Sequence, residues 1–354
     1  MFPGDGDTLH EECGIFGVFA PGADVARMTY FGLFALQHRG QESAGIAVSR
    51  QGEVRLRKRL GLVAQAFEET DLRHLPGEIA VGHTRYSTTG SVVYENAGPM
   101  AADSSLGTVV VAHNGNIVNA IPLHEQLTAE GARLLTTTDS EVLTNLIARS
   151  PGDTIVNKLQ HALPQAVGAF SLAILTPDAL VAVRDPQGIR PLCLGRLDDG
   201  WVVASESCAL ATVGATLERE IEPGEILVIT GDGIESHRIA PLEERALCVF
   251  ELIYFARPDS MMRGERLHLV RQRMGAELAL EHPVDADVVV PIPDSAVPAA
   301  IGYARASGIP YSDGLIKNRY IGRTFIQPDQ RLREVGVKLK FNALPEVLEG
   351  RRVV

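Results

Sequence analysis

The sequence predicts two domains, a layered α+β domain over residues 13–245 and a parallel α/β domain over residues 246–354. Short β-branched segments bounded by Gly, Pro, Asp or Asn dominate the first stretch, with a few helices between them. In the second stretch, an apolar run, a helical segment and another apolar run follow one another, which is typical of a parallel β-α-β unit. A chain of 354 residues, 45% of them apolar, can form a sizeable core in each of two domains.

The strands of the first domain are predicted from short β-branched runs that stop at turn-forming residues. Gln51–Gly52 and Asp232–Gly233 are predicted hairpin turns, because Gly adopts the backbone angles that tight hairpins need. In chain order, the predicted strands are CGIFGVFA, AGIAVSR, EVRLRKRLG, EIAVGHTRY, TVVVAHNG, FSLAILT, ALVAVRD, WVVASES and EILVITGDG.

Helices are predicted between these strands at residues 24–37, 139–149 and 153–166. Thr138 and Glu141 form a capping-box pattern in front of an apolar stripe, which marks the start of the second helix. Sheets of this size need helices to cover their faces, so the first domain is expected to be layered.

The second domain is predicted from DADVVVPIPDS, the helical AVPAAIGYARASG and the apolar IPYSDGLI. Gly308 suits the end of that helix, because Gly adopts the left-handed conformation there without strain. The final EGRRVV resembles the start of another strand. Since a parallel sheet rarely stops halfway along a strand, we expect the second domain to be cut short.

The net charge of −11 and the pI of about 5.4 argue against non-specific binding to nucleic acid or to an anionic membrane. No apolar run reaches the roughly 20 residues that span a bilayer, and the N-terminus lacks the pattern of a secretory signal. The sequence is therefore expected to be that of a soluble, cytoplasmic protein.

Cys13 is the candidate nucleophile. It follows a polar, acidic stretch, residues 1–12, which we expect to be a removable leader. Cleavage after Glu12 would place the thiol beside its own α-amino group, whose pKa of about 7.7–8.0 suits a base. The alternative is a buried structural cysteine, and most of the thiols are expected to be buried. The four cysteines, Cys13, Cys193, Cys208 and Cys248, form no C-x-x-C pair.

Further candidates lie where predicted strands and helices begin or end. His83 and Arg85 share one strand face, and Arg85 could bind a carboxylate or be an ordinary exposed arginine. Asn114 and Gly115 could donate hydrogen bonds to an oxyanion or form a simple turn. Asp139 could bind an ammonium group or complement the helix dipole.

Taken together, CGIFGVF, ALQHRGQESAGIA, GHTRYSTTG, AHNGNI and TDSE resemble the N-terminal-nucleophile glutaminase domain of class II glutamine amidotransferases, with its αββα layers. The resemblance implies that Cys13 attacks the glutamine amide and that its freed amine is the base. It also implies an oxyanion site at Asn114 and Gly115. Glutamine would be bound through its carboxylate by Arg85 and its ammonium by Asp139, in a pocket lined by Arg39, Gly40, His83 and Thr88.

The second domain resembles that of the amidophosphoribosyltransferase family in FELIYFARPDS, PIPDSAVPAAIGYA and GLIKNRYIGRTFIQPDQRLREVGVKLKFNAL. This implies an incomplete type I phosphoribosyltransferase domain, in which ammonia displaces pyrophosphate from 5-phosphoribosyl 1-diphosphate to open purine synthesis. Residues 317–340 carry seven basic and two acidic residues, a local charge of +5 that suits a diphosphate, with a solvated basic face as the alternative. The diphosphate loop would use Lys317, Arg319 and Arg323.

The resemblance also implies cofactors and partners. Ser295 matches a position that contacts Mg²⁺, and Cys248 matches the first of four ligands of a [4Fe–4S] cluster in one subgroup. The other three ligands and a phosphate-binding turn would lie beyond residue 354, so a 354-residue chain is expected to lose transferase activity. Family members are dimers or tetramers that purine nucleotides inhibit.

Two alternative functions are compatible with parts of this pattern. One is another class II amidotransferase, such as the enzymes of glucosamine-6-phosphate or asparagine synthesis, although PIPDS and KNRYIGRTF speak against it. The other is a non-catalytic truncated relic that serves as a binding or oligomerisation module.

Overall fold

A computed structural model of the chain divides into two compact units, and the division falls between Glu251 and Leu252. The domain bounds drawn from the sequence, 13–245 and 246–354, remain a prediction. The predicted leader and the predicted site residues Thr88, Arg319 and Arg323 lie outside the described residues. The structure describes residues 13–86, 92–239, 244–318 and 337–354.

The first unit contains a seven-stranded sheet in which every neighbouring pair is antiparallel. Its strands are β1 (Gly14–Phe19), β2 (Ser43–Arg50), β3 (Glu53–Leu60), β4 (Ile79–Arg85), β9 (Cys193–Leu197), β10 (Gly200–Ala204) and β11 (Thr216–Glu220). Their order is β11-β9-β10-β1-β4-β2-β3, so the strand that begins after Cys13 lies in the middle of the sheet. The predicted Gln51–Gly52 hairpin turn is confirmed, with both residues at positive φ.

A second, six-stranded antiparallel sheet completes the first unit. Its strands are β5 (Met100–Ser104), β6 (Gly107–Ile117), β7 (Gly168–Leu175), β8 (Leu180–Arg184), β12 (Glu225–Thr230) and β13 (Gly233–Arg238), in the order β13-β12-β8-β7-β6-β5. Residues of both sheets, including Ile15, Val81 and Ala112, share one buried apolar cluster, so the sheets pack face to face.

Helices cover the outer face of each sheet, which confirms the predicted αββα layering. One apolar cluster joins helices to the seven-stranded sheet and another joins helices to the six-stranded sheet. The helices are α1 (Val25–Ala35), α2 (Val63–Ala66), α3 (Glu69–Arg73), α4 (Ala120–Ala129), α5 (Asp139–Arg149), α6 (Ile155–Ala162) and α7 (Ser207–Thr212).

The predicted capping box at the start of α5 is formed only in part. Thr138 accepts a hydrogen bond from the Glu141 backbone N–H at 3.2 Å, as predicted. The Glu141 carboxylate instead accepts from the backbone N–H groups of Leu135 and Thr136, at 2.9 and 2.7 Å. The glutamate therefore fixes the loop that leads into the helix rather than the cap residue itself.

Helix α4 was not predicted from the sequence. Its buried residues Ala120, Leu123 and Leu127 follow helical spacing, and Pro122 lies in its first turn, where proline is tolerated. The spacing of these apolar residues was the sequence pattern from which the helix could have been predicted.

The second unit contains the predicted β-α-β arrangement. Val289 pairs in parallel with Tyr311, and Val288 pairs in parallel with Val353, so the segment before Pro291 is central. Gly308 ends the connecting helix with φ of 75°, as predicted. The elements of this unit are β14 (Met261–Met262), β15 (Glu265–Arg266), α8 (Leu267–Glu281), α9 (Val297–Ser307), β16 (Leu315–Lys317), β17 (Phe341–Ala343) and α10 (Pro345–Leu348).

Helices α8 and α9 are in direct backbone contact through two glycines. A methyl group on Gly275 would overlap the carbonyl of Ala299, and one on Gly302 would overlap the carbonyl of Gln272. The two helices can therefore approach this closely only without side chains at these positions.

We expect Gly302→Ala to destabilise the α8–α9 pair by about 1–3 kcal/mol, because the added methyl group meets rigid backbone. Hydrogen–deuterium exchange of peptides from both helices measures this effect. Ala306→Ser, on an exposed position of the same helix, is the control. Equal exchange in both variants would contradict the prediction.

Candidate active site

A cavity lies at the ends of β1, β4 and β6. Five of its residues were predicted to be functional, from four separate motifs, and the structure brings them together. Those five are Cys13, His83, Arg85, Gly115 and Asp139. The other lining residues are Tyr86, Asn96, Gly98, Met100, Val111, His113, Thr138 and Ser140.

Cys13 immediately precedes β1 and is 8% exposed. Its thiol donates a hydrogen bond to the Tyr86 carbonyl at 3.4 Å, and its own carbonyl accepts from Arg39 Nε at 3.2 Å. The side chain therefore faces the cavity, while its backbone is held by a buried cation.

His83 is buried in a specific tautomer. Its Nε2 lies 3.0 Å from the carbonyl oxygen of His113, so Nε2 carries the hydrogen and Nδ1 carries the unprotonated lone pair. Burial lowers the pKa of His83 to about 3, with a smaller opposing contribution from the His113 hydrogen bond. The imidazole is therefore neutral at pH 7.

Arg85 contributes a positive charge to the cavity wall. It is 5% exposed, and its Nη1 lies 3.3 Å from a carboxylate oxygen of Glu42. A guanidinium offers five donors in a planar fork, so an arginine that pairs with one glutamate can still bind a second carboxylate.

Asn114 and Gly115 are the last two residues of the continuous buried run 109–115 in β6. Asn114 is fully buried, and neither atom of its side-chain amide has a hydrogen-bond partner among the described residues. Leaving a buried amide unpaired costs about 1–3 kcal/mol, and such groups are rare unless a ligand completes them. Gly115 has φ of 155°, and a Cβ there would overlap the Ala169 carbonyl.

Asp139 begins α5 and is held by backbone. Its Oδ2 accepts from the Ile117 N–H at 2.9 Å, and the Ser140 hydroxyl lies 3.4 Å from Oδ1. His113 Nδ1 lies 3.1 Å from the same hydroxyl. Sequence reasoning did not select His113 or Ser140, although each is adjacent to a selected residue in AHNGN and TDSE.

Arg39 and Gly40 are not among the described residues that line the cavity. The Arg39 guanidinium is buried against Glu206 and Glu251 instead. A Cβ on Gly40 would lie 2.6 Å from the Thr84 carbonyl, so this glycine permits close packing behind the site. Their expected place in the pocket wall is therefore not what the structure shows.

Comparisons with known proteins identify the family. The glutamine amidotransferase domain family matches residues 83–212. The chain is 52% identical over 353 residues to an amidophosphoribosyltransferase of Synechococcus elongatus, covering 98% of this chain and 72% of that protein. An amidophosphoribosyltransferase of Bacillus subtilis is 46% identical, with 98% and 73% covered. The chain belongs to the amidophosphoribosyltransferase family.

Solved structures agree with this assignment. Glutamine phosphoribosylpyrophosphate amidotransferase from B. subtilis, complexed with ADP and GMP, matches with a TM-score of 0.89 at 46% identity, covering 96% of this chain and 74% of that one. A structure described as the allosteric regulatory enzyme of purine biosynthesis matches with a TM-score of 0.90. The predicted two-domain fold class is confirmed. A non-catalytic relic or another class II amidotransferase is not favoured.

The second unit contains the residues predicted to bind Mg²⁺ and the diphosphate in this amidophosphoribosyltransferase family member. Ser295 is exposed in the loop before α9, and Lys317 forms an ion pair with Asp294 in that loop. This loop follows the central strand of the parallel segment, and α/β folds bind ligands at the carboxyl ends of such strands.

The described residues fit Mg²⁺ better than a cluster. Mg²⁺ needs only one or two protein oxygens beside substrate phosphates and water, and Asp294 and Ser295 offer exposed oxygens. A [4Fe–4S] cluster needs four thiolates, whereas Cys248 is half-buried and Cys193 and Cys208 are buried in the first unit. Burial raises the pKa of Cys193. No group of three metal-ligating side chains occurs in the described ranges.

No described helix is long and apolar enough to cross a membrane.

His83 predicts a specific pH dependence of stability. Between a pKa of about 3 in the folded state and about 6.5 in the unfolded state, only the unfolded chain binds the proton. Stability is therefore lost as the pH falls below 6.5.

We expect the wild-type chain to lose up to about 1.4 kcal/mol per pH unit more than His83→Gln between pH 6 and pH 4. Glutamine retains a donor for the His113 carbonyl but does not titrate. Urea unfolding at several pH values measures the difference, and parallel curves for the two proteins would contradict the assignment of a neutral His83.

Proposed function

We propose that this member of the amidophosphoribosyltransferase family releases ammonia from glutamine and uses it to displace pyrophosphate from 5-phosphoribosyl 1-diphosphate. The product, 5-phosphoribosylamine, begins purine synthesis. The observation that carries the proposal is 52% identity to an amidophosphoribosyltransferase over 98% of the chain. A cavity that gathers the glutaminase motifs supports it.

Glutamine hydrolysis would begin at Cys13 after removal of residues 1–12. The freed α-amine accepts the thiol proton, and Sγ attacks the carbonyl carbon of the glutamine side chain. The resulting oxyanion accepts hydrogen bonds from the Asn114 amide and the Gly115 N–H. The amine returns the proton to the leaving nitrogen, ammonia departs, and water then hydrolyses the thioester to glutamate.

The buried Asn114 amide supports this assignment. An amide that lacks a partner among the described residues needs no rearrangement to bind a developing negative charge. Because the group is already desolvated, its hydrogen bond to the oxyanion is stronger than one in water.

The two charged ends of glutamine would be bound by oppositely charged side chains. Arg85 would bind the α-carboxylate through parallel N–H···O bonds, and Asp139 would accept from the α-ammonium. Glu42 and the Ile117 N–H hold these two side chains in place. His83 and Thr88 would complete the pocket.

The second unit would bind the diphosphate substrate. Lys317 would supply positive charge together with Arg319 and Arg323, and Asp294 and Ser295 would contact Mg²⁺. Bound Mg²⁺ would neutralise diphosphate charge. Because the described cysteines do not assemble a [4Fe–4S] site, Cys248 is given no role in the reaction.

Regulation and assembly are carried over from relatives as proposals. The B. subtilis protein was solved with ADP and GMP, and we infer that purine nucleotides inhibit this chain. A homo-oligomer, dimeric or tetrameric, in the cytoplasm is likewise proposed.

Cys13→Ala is expected to abolish glutamine hydrolysis, whereas Cys193→Ala, at another buried thiol of the same unit, leaves it near wild type. Glutamate release measured with glutamine alone tests this without relying on the second unit. Intact-protein mass reports whether residues 1–12 are removed. Full activity with the leader retained, or activity of Cys13→Ala, would overturn the proposal.

Arg85→Lys is expected to raise the KM for glutamine about tenfold or more with a smaller change in kcat, because lysine cannot form the paired hydrogen bonds. Arg55→Lys, on the exposed edge strand β3, is the control and keeps the wild-type KM. An unchanged KM for Arg85→Lys would exclude the carboxylate role.

A further inference from the structure

Arg39 connects the candidate nucleophile to two buried carboxylates. Its Nε donates to the Cys13 carbonyl at 3.2 Å, and its Nη1 donates to Glu206 at 2.7 Å. Glu251 accepts from Nη1 at 3.0 Å and from Nη2 at 2.5 Å. The side chain of Arg39 is 1% exposed, and those of both glutamates are fully buried. One planar cation thus joins three distant parts of the chain.

Each carboxylate has its own support. His38 Nε2 lies 2.7 Å from Glu206, and Arg190 Nη1 lies 3.9 Å from Glu251. The segment before Glu251 is attached to the loop before Arg190 by backbone hydrogen bonds, such as that from the Cys248 N–H to the Ile189 carbonyl at 3.2 Å. Glu251 is therefore fixed by backbone as well as by its side chain.

The energetics of burial suggest what this cluster contributes. Removing two charges from water costs several kcal/mol each, and well-packed apolar residues are often at least as stabilising as a buried ion pair. A rigid, bidentate arrangement does, however, restrict the position of the group that it binds. Here that group is the backbone carbonyl of the residue that bears the thiol.

We propose that Glu206 and Glu251 are positioning residues for glutamine hydrolysis, which hold Arg39 against the Cys13 carbonyl and so fix the nucleophile. This inference rests on the proposed function of Cys13. Neither glutamate is among the cavity-lining residues, so each acts through Arg39 rather than on glutamine.

The cluster also sets the charge near Cys13. Arg39 and Arg190 are balanced by Glu206 and Glu251, and His38 adds positive charge only when protonated. From the cavity side, Cys13 is faced by Arg85 and Asp139 and by the imidazoles of His83 and His113. Removing one buried carboxylate leaves excess positive charge, which favours the thiolate and the neutral amine.

Two substitutions at Glu251 separate position from charge. Glu251→Gln keeps the length of the side chain but removes its charge. The pH at which the alkylation rate of Cys13 reaches half of its maximum should therefore fall. Glu251→Asp keeps the charge but shortens the reach to Arg39, so kcat should fall about tenfold or more without that pH shift. Both should leave the KM for glutamine within about twofold, because the groups that bind glutamine are untouched.

Glu225→Gln is the matched control. Glu225 is a buried glutamate of the same unit that pairs with Arg219 at 2.7 Å, and its described partners include neither Arg39 nor a cavity residue. It should change stability but neither kcat nor the alkylation profile.

Iodoacetamide alkylation of Cys13 against pH, and steady-state glutamine hydrolysis, are measured on the full chain with the folded fraction determined by circular dichroism. If Cys13→Ala retains hydrolysis, the proposed function fails. If Cys13→Ala is inactive but both Glu251 variants match Glu225→Gln in kcat and in pH profile, the positioning role fails and the function stands.

Discussion

Two sheets that pack face to face bury only every second side chain of each strand between them, and the candidate active site depends on this alternation. Ile15, Val81 and Ala112 belong to the apolar cluster shared by the two sheets. Two residues away from each of them in the sequence, and on the same face, a polar residue lies at the edge of this layer. Those residues are Cys13, His83 and Asn114. The catalytic candidates thus continue the pattern that builds the core, at the point where the core ends.

Burying a polar group in such a position costs free energy unless the group forms a hydrogen bond. His83 stays neutral and donates its one hydrogen to a carbonyl, and Asp139 accepts from backbone. The Asn114 amide is different, because no described group satisfies it. A buried amide donor that is left unpaired at the site is preorganised for a new acceptor, which is what an oxyanion provides.

Arg39, which the sequence motifs predicted to line the pocket, is instead a buried cation behind this layer. Arg39 lies 26 residues from Cys13 in the sequence, 167 from Glu206 and 212 from Glu251. Arg39 contacts the site through its hydrogen bond to the backbone carbonyl of Cys13. Its counter-ions are Glu206, at the start of α7, and Glu251, the last residue of the first unit. A residue can therefore belong to a motif of the site without touching the cavity.

Local patterns in the sequence determined most of the αββα strands, helix α5, the β-α-β segment and the candidacy of Cys13, Arg85, Asn114 and Asp139. Such patterns record which face of an element is buried, and this information is contained in neighbouring residues. The tertiary structure alone decided that Glu206 and Glu251 bind Arg39, that His113 and Ser140 join Asp139, and that α8 lies against α9 through glycines. These contacts depend on strand order and helix approach, which bring together residues whose own neighbours carry no sign of the pairing.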